Sequence, residues 1–181
     1  MTIEALALTI CLASSVFGRG KMAETECKAM AENVTMAAKI ADVSPALILA
    51  VNIQECDLRE RVDAPIWKGE GKKRKMVGVD ACPMGVRILG ITDSTKLVVE
   101  RLYNLAGEKM SVMKKWCERN HKGAHHHFIS HYNQGNPTYA AQILGFMAVL
   151  QGRPVPDESS LTARSKEIIR RLLRVFRQRE A

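Results

Sequence analysis

Apolar residues recur at helical spacing over most of this chain, and residues with turn chemistry punctuate the segments so marked. Residues 23–41 are rich in Ala and Met with scattered polar positions, and they predict a helix that ends near Asp42. Ser44 then caps a second helix with Pro45 at its first position, where a missing backbone N–H leaves no bond unmade. That helix runs through the apolar stretch 45–54 to Glu55 and on to about Asp57. Over 59–80 the pattern breaks at Pro65, Gly69, Gly71 and Gly78, and Lys72, Lys73, Arg74 and Lys75 follow one another. An exposed loop is expected there, or a small β-hairpin over 66–79 with its basic tip outward. Helical spacing returns over 95–105, 111–120 and 126–132; after a turn at 133–137, residues 139–150 are apolar enough for a core helix. Residues 152–160, with Pro154 and Pro156, read as a linker. The last segment, 161–179, is amphipathic, with Ile168, Ile169, Leu172, Leu173 and Phe176 on one side and a dense basic face opposite.

Residues 1–17 contain a stretch as apolar as the core of a signal peptide, but Glu4 interrupts it and no Lys or Arg precedes it. It is read as a short core or docking helix, with a signal segment as the other choice, and it falls short of the roughly 20 apolar residues of a membrane span. The organisation expected is an N-terminal apolar segment over 1–22, one domain over 23–152, and a linker with a basic amphipathic helix over 153–181.

Composition narrows the class. A hydrophobic fraction of 46% excludes wholesale disorder, and an aromatic fraction of 5% with few alternating β-branched runs argues against an all-β fold. The chain is expected to be mainly α. Its net charge of +8 implies anionic surroundings, which nucleic acid, anionic lipid or an acidic wall polymer would each supply. The five cysteines, Cys11, Cys27, Cys56, Cys82 and Cys117, show no zinc-ligand spacing, and their odd number leaves a thiol free in a monomer. That leans towards a reducing compartment without excluding one or two bridges. Cys56 and Cys82 are the pair to watch, and bridging needs their Cα atoms within about 7 Å.

Glu55 ends a long apolar run, 45–54, that otherwise reads as a buried helix. A carboxylate buried there must find a partner or keep its proton, and a retained proton suits a general acid. The plain alternative is a helix-end Glu whose head reaches water.

Three segments in order carry a resemblance: 47–56, ending in Glu55-Cys56; 82–86, with Cys82, Pro83, Met84, Gly85 and Val86; and 131–135, with His131, Tyr132, Asn133, Gln134 and Gly135. Over about residues 30–150 the chain resembles the Slt-type lytic transglycosylases and their goose-lysozyme relatives, of the lysozyme-like superfamily. Those proteins have a helix ending in Glu-Ser, a Gly-Leu/Pro-Met-Gln loop and an Ala-Tyr-Asn-Ala-Gly motif. Here Cys56 stands for Ser, Cys82 for Gly, Gly85 for Gln and His131 for Ala. Glu55 and Met84 are 29 positions apart, longer than usual, and the basic loop is the natural place for the extra residues.

The resemblance implies a lysozyme-like fold with a loop or hairpin beside the cleft, and cleavage of the β-1,4 bond between N-acetylmuramic acid and N-acetylglucosamine in peptidoglycan. Glu55 would act as acid and then base, the substrate's acetamido group would assist, and the product would be a 1,6-anhydro sugar. Met84 would line the cleft floor, and Tyr132, Asn133 and Gln134 would contact substrate or orient Glu55. No cofactor or metal is required. A hydrolytic lysozyme would instead need a second carboxylate to activate water. Asp57 is turned away from Glu55 on a continuing helix, so Asp63 and Asp80 are the candidates.

Two further readings compete. His127 and His131 are four apart and on an α-helix would share a face able to bind a metal, with His121, His125 and His126 nearby. The basic terminal helix, with Arg164, Lys166, Arg170, Arg171, Arg174, Arg177 and Arg179, reads as a solvated face or as an attachment to anionic envelope polymer or phospholipid. The alternative from a different class is a non-enzymatic basic helical protein that binds nucleic acid or envelope. Nucleic acid is not the expected partner, because no recognised motif is present and stacking aromatics are few. A monomer acting on peptidoglycan strands at the cell envelope, whether periplasmic, secreted or virion-associated, is the expectation.

Overall fold

The computed structural model describes residues 1–17, 22–82, 84–89, 99–120, 127–133 and 136–180. The chain is mainly α. Helix α1 (Ile3–Ser14) begins where the Thr2 hydroxyl accepts from the Ala5 N–H at 3.2 Å. It buries Leu6, Ile10 and Ala13, and its Cys11 is bridged to Cys27 of α2 (Glu24–Ala41). Helix α2 ends as expected at Asp42, which takes the left-handed conformation (φ 52°) of a helix terminator. Helix α3 (Pro45–Cys56) starts at the Ser44 cap, and its residues from Ala46 to Ile53 are all buried. It is the central helix of the core. Among the described residues no single helix is long and apolar enough to cross a membrane.

The hairpin is longer than 66–79. Strand β1 (Arg61–Lys68) pairs antiparallel with β2 (Lys75–Cys82), and β2 pairs with a third strand, β3 (Val86–Leu89), which the pattern did not predict. Pro65 is tolerated because β1 is an edge strand, and the register slips between Val62 and Ala64 and again between Ile66 and Trp67. The basic tip lies between β1 and β2, and Lys73, Arg74 and Lys75 are exposed.

The two helices expected over 95–105 and 111–120 are one, α4 (Val99–Asn120), whose expected start near Thr95 lies outside the described residues. Gly107, which marks the apparent break, is where α4 crosses α2: a Cβ there would stand 2.7 Å from the Ala37 carbonyl oxygen. Its smallness serves a close approach rather than a stop. The helix expected over 126–132 is a 3-10 helix (Phe128–Asn133). Helix α5 (Pro137–Leu150) is the core helix anticipated for 139–150, capped by Asn136. Helix α6 (Ala163–Glu180) lays Ile168, Ile169 and Leu172 into the core, with Leu173 and Phe176 packed at its margin. Ser165 ties α6 to α5 by donating to Gln142 Oε1 at 3.1 Å.

Candidate active site

Glu55 is the penultimate residue of α3. The helix stops at Cys56 because Asp57 and Leu58 both take positive φ, 49° and 59°, turning the chain towards β1. The Glu55 side chain is exposed. Of the two readings of Glu55, the structure matches the helix-end carboxylate that reaches the surface: α3 is buried through Ile53, and the last turn brings Glu55 out.

What Glu55 meets at that surface is the turn between β2 and β3. Met84 and Gly85 both have positive φ, 64° and 58°. Met84 is fully buried, so its side chain lies beneath the turn and offers no surface to a ligand, which corrects the expectation that it lines the cleft. Gly85 presents bare backbone to the carboxylate: a Cβ built there would lie 3.0 Å from Glu55 Oε2 and 3.6 Å from its Cβ and Cγ. A glycine at this position thus makes room for the carboxylate. The turn is fastened to α3 by the Cys56–Cys82 disulfide, with Cα atoms 5.7 Å apart.

Two tyrosines back this arrangement. The Tyr132 hydroxyl donates to the Met84 carbonyl at 2.5 Å, joining the third motif to the second. Its ring stacks on Tyr139 of α5, centroids 6.2 Å apart and planes within 5°, and the Lys109 ammonium of α4 lies 4.2 Å from the Tyr132 centroid. The Tyr139 hydroxyl is buried without a hydrogen-bond partner at bonding geometry and sits beside Glu55. Burial pushes both phenols up in pKa, and the Glu55 charge adds to the effect, more strongly at Tyr139. Both therefore remain donors at any ordinary pH. An accessible carboxylate with a phenolic donor beside it is equipped to hand a proton to a bound ligand and take one back.

Of the other expected site residues, Asn133 is exposed at the end of the 3-10 helix, and Gln134 lies outside the described residues. Asp80 is half-buried on β2 opposite Ala64. Asp63 falls at the irregularity of β1, and its side chain lies outside the described part. Asp57 is directed to α6, where Arg164 donates to its Oδ1 at 2.7 Å and to the Gln54 carbonyl at 3.2 Å. His127 and His131 do not share an α-helical face. His127 precedes the 3-10 helix, stacks on Phe128 and accepts from the Ile129 N–H at 3.2 Å; burial lowers its pKa. His131 meets the Trp116 ring instead. His121, His125 and His126 lie outside the described residues. Among the described residues no three His, Cys, Asp or Glu side chains gather as metal ligands do.

Sequence reasoning missed Tyr139, Lys109 and Arg164 as neighbours of this site. Tyr139 carried one faint signal, a hydroxyl in an otherwise apolar core segment, which needs a polar neighbour when buried. No match to the chain was found among known protein families, curated proteins or solved structures.

Proposed function

We propose that the protein is a peptidoglycan-cleaving lytic transglycosylase with a lysozyme-like fold, acting on the bond between N-acetylmuramic acid and N-acetylglucosamine. One observation carries the reading: segments far apart in sequence, the end of α3, the Met84–Gly85 turn and Tyr132, converge around one exposed carboxylate. Glu55 protonates the leaving glycosidic oxygen as general acid. The substrate acetamido group stabilises the positive charge that develops at the anomeric carbon, and Glu55 then removes the proton from the muramyl 6-hydroxyl as that oxygen closes the 1,6-anhydro ring. Tyr139 steadies the carboxylate when it is charged, and Tyr132 holds the turn beneath it. No cofactor enters this scheme.

The odd cysteine count leans towards a reducing compartment, but the two disulfides favour an oxidising one instead, which accords with work at the cell envelope. The exposed arginines of α6, Arg170, Arg174 and Arg177, suit attachment to anionic envelope polymer, while Glu167 neutralises part of that face by pairing with Arg170 and Arg171.

The test is Glu55→Gln. It is expected to abolish clearing of purified cell walls while leaving the fold and wall binding intact; normal cleavage by this variant refutes the mechanism. Mass spectrometry of the released fragments separates the chemistries, since anhydro ends mark a transglycosylase and reducing ends a hydrolase. A salt-dependent retention of nucleic acid without wall clearing would favour the non-enzymatic reading.

A further inference from the structure

Trp116 is 44% exposed on α4, high for the largest side chain, and its ring is met by His131 at 5.0 Å with planes at 72°. His131 is also one of the positions where the chain departs from the Ala-Tyr-Asn-Ala-Gly pattern. Alanine has no ring to set beside an indole. The exposed tryptophan and the unusual histidine are thus one feature.

That feature adjoins the site. Lys109 and Trp116 are seven residues apart on α4, two turns along the same side and about 10 Å along the axis. Lys109 covers Tyr132 while Trp116 covers His131, so α4 runs beside the segment that reaches Glu55 through Met84. Resting on the peptidoglycan reading above, we propose that Trp116 and His131 form a sugar-stacking subsite, holding an N-acetylhexosamine ring of the glycan strand remote from the bond that is cut. A pyranose ring has apolar C–H faces and a polar rim, so its face packs on an indole through buried apolar area and dispersion, and its hydroxyls remain free for water or His131. Because His131 restricts the indole beforehand, little side-chain freedom is lost on binding.

The other exposed tryptophan, Trp67, sits on β1 with the Arg74 guanidinium 5.1 Å from its ring, so Trp67→Phe leaves Trp116 as the sole indole reporter. In a Trp67→Phe, Glu55→Gln background, titration with a hexamer of N-acetylglucosamine is expected to give a saturable change in tryptophan emission. On solubilised glycan strands, Trp116→Ala in the otherwise native chain is expected to raise KM about tenfold, with kcat changed far less. Trp116→Phe should recover most of that loss, and His131→Ala should fall between. An emission unmoved by the hexamer, or a KM unmoved by Trp116→Ala where cleavage still depends on Glu55, overturns the subsite. Absence of any cleavage by the native chain instead overturns the underlying function, and the emission titration then still decides whether Trp116 binds sugar.

Discussion

Cys56 and Cys82 are bridged, which fastens the residue following Glu55 to the strand that leads into the Met84–Gly85 turn. The two walls of the candidate site, a helix end and a β-turn, are thereby held in one register.

Reduction of this bridge is expected to cost activity before it costs the fold. The 26-residue separation corresponds to about 3.5 kcal/mol of unfolded-chain entropy, so Cys56→Ser with Cys82→Ser should lower the urea midpoint and abolish most wall cleavage. Thiol titration of the unfolded, unreduced chain should find one group, Cys117, and five after reduction. Finding five without reductant would exclude both bridges.

Gly85→Ala introduces a Cβ at 3.0 Å from Glu55 Oε2 and a side chain at φ 58°. A loss of about 1–2 kcal/mol of stability is expected from the backbone conformation. The fall in kcat should exceed what that lost stability explains, because the carboxylate itself is displaced. A variant with native kcat would show that the acid does not depend on this turn.

Glu60 is half-buried beside Tyr103, and burial raises its pKa, with the Tyr103 hydrogen bond partly opposing this and Glu26 adding to the rise. A raised folded-state pKa means that the contribution of Glu60 to stability is complete below its ordinary value and lost as pH rises through the folded value. Glu60→Gln should therefore raise the urea midpoint at pH 7 and leave it unchanged near pH 3. The same midpoint shift at both values would remove ionisation from the account.

The three tyrosines Tyr103, Tyr132 and Tyr139 all have pKa values raised first by burial. Unfolded tyrosines release protons near pH 10 while these retain theirs, so stability should fall above that pH by up to about 1.4 kcal/mol per pH unit for each. Replacing Tyr139 by Phe should flatten the alkaline limb of the unfolding midpoint. An unchanged slope would place the Tyr139 hydroxyl in water.

Arg164 of α6 spans the end of α3 through Asp57 and the Gln54 carbonyl. Arg164→Ala should lower stability by about 1 kcal/mol, since the pair is partly exposed. A double-mutant cycle with Asp57→Asn should recover part of this as coupling. Additive effects would mean that the ion pair contributes nothing.

Local chemistry made several elements legible. Ser44-Pro45 announces the start of α3, the 3.6-residue spacing marks the buried face of α6, and Asn136-Pro137 opens α5, because caps and amphipathic faces act within a turn or two of the residues that cause them. The motifs likewise singled out Glu55, Met84 and Tyr132, which the fold brings to one place. What the sequence could not decide involves distance. Gly107 looks like a break until the Ala37 carbonyl stands against it, and β3 is too short to declare itself without the β2 edge that pairs it. The exposure of Glu55 follows from where Asp57 and Leu58 turn the chain. Tyr139 and Arg164 approach that end of α3 from α5 and α6, across separations that no local pattern encodes. The chain by itself marked most of the helices and which carboxylate to suspect; only tertiary packing joined the two halves of α4 and decided what surrounds that carboxylate, because the neighbours of a side chain are set by how helices and strands cross.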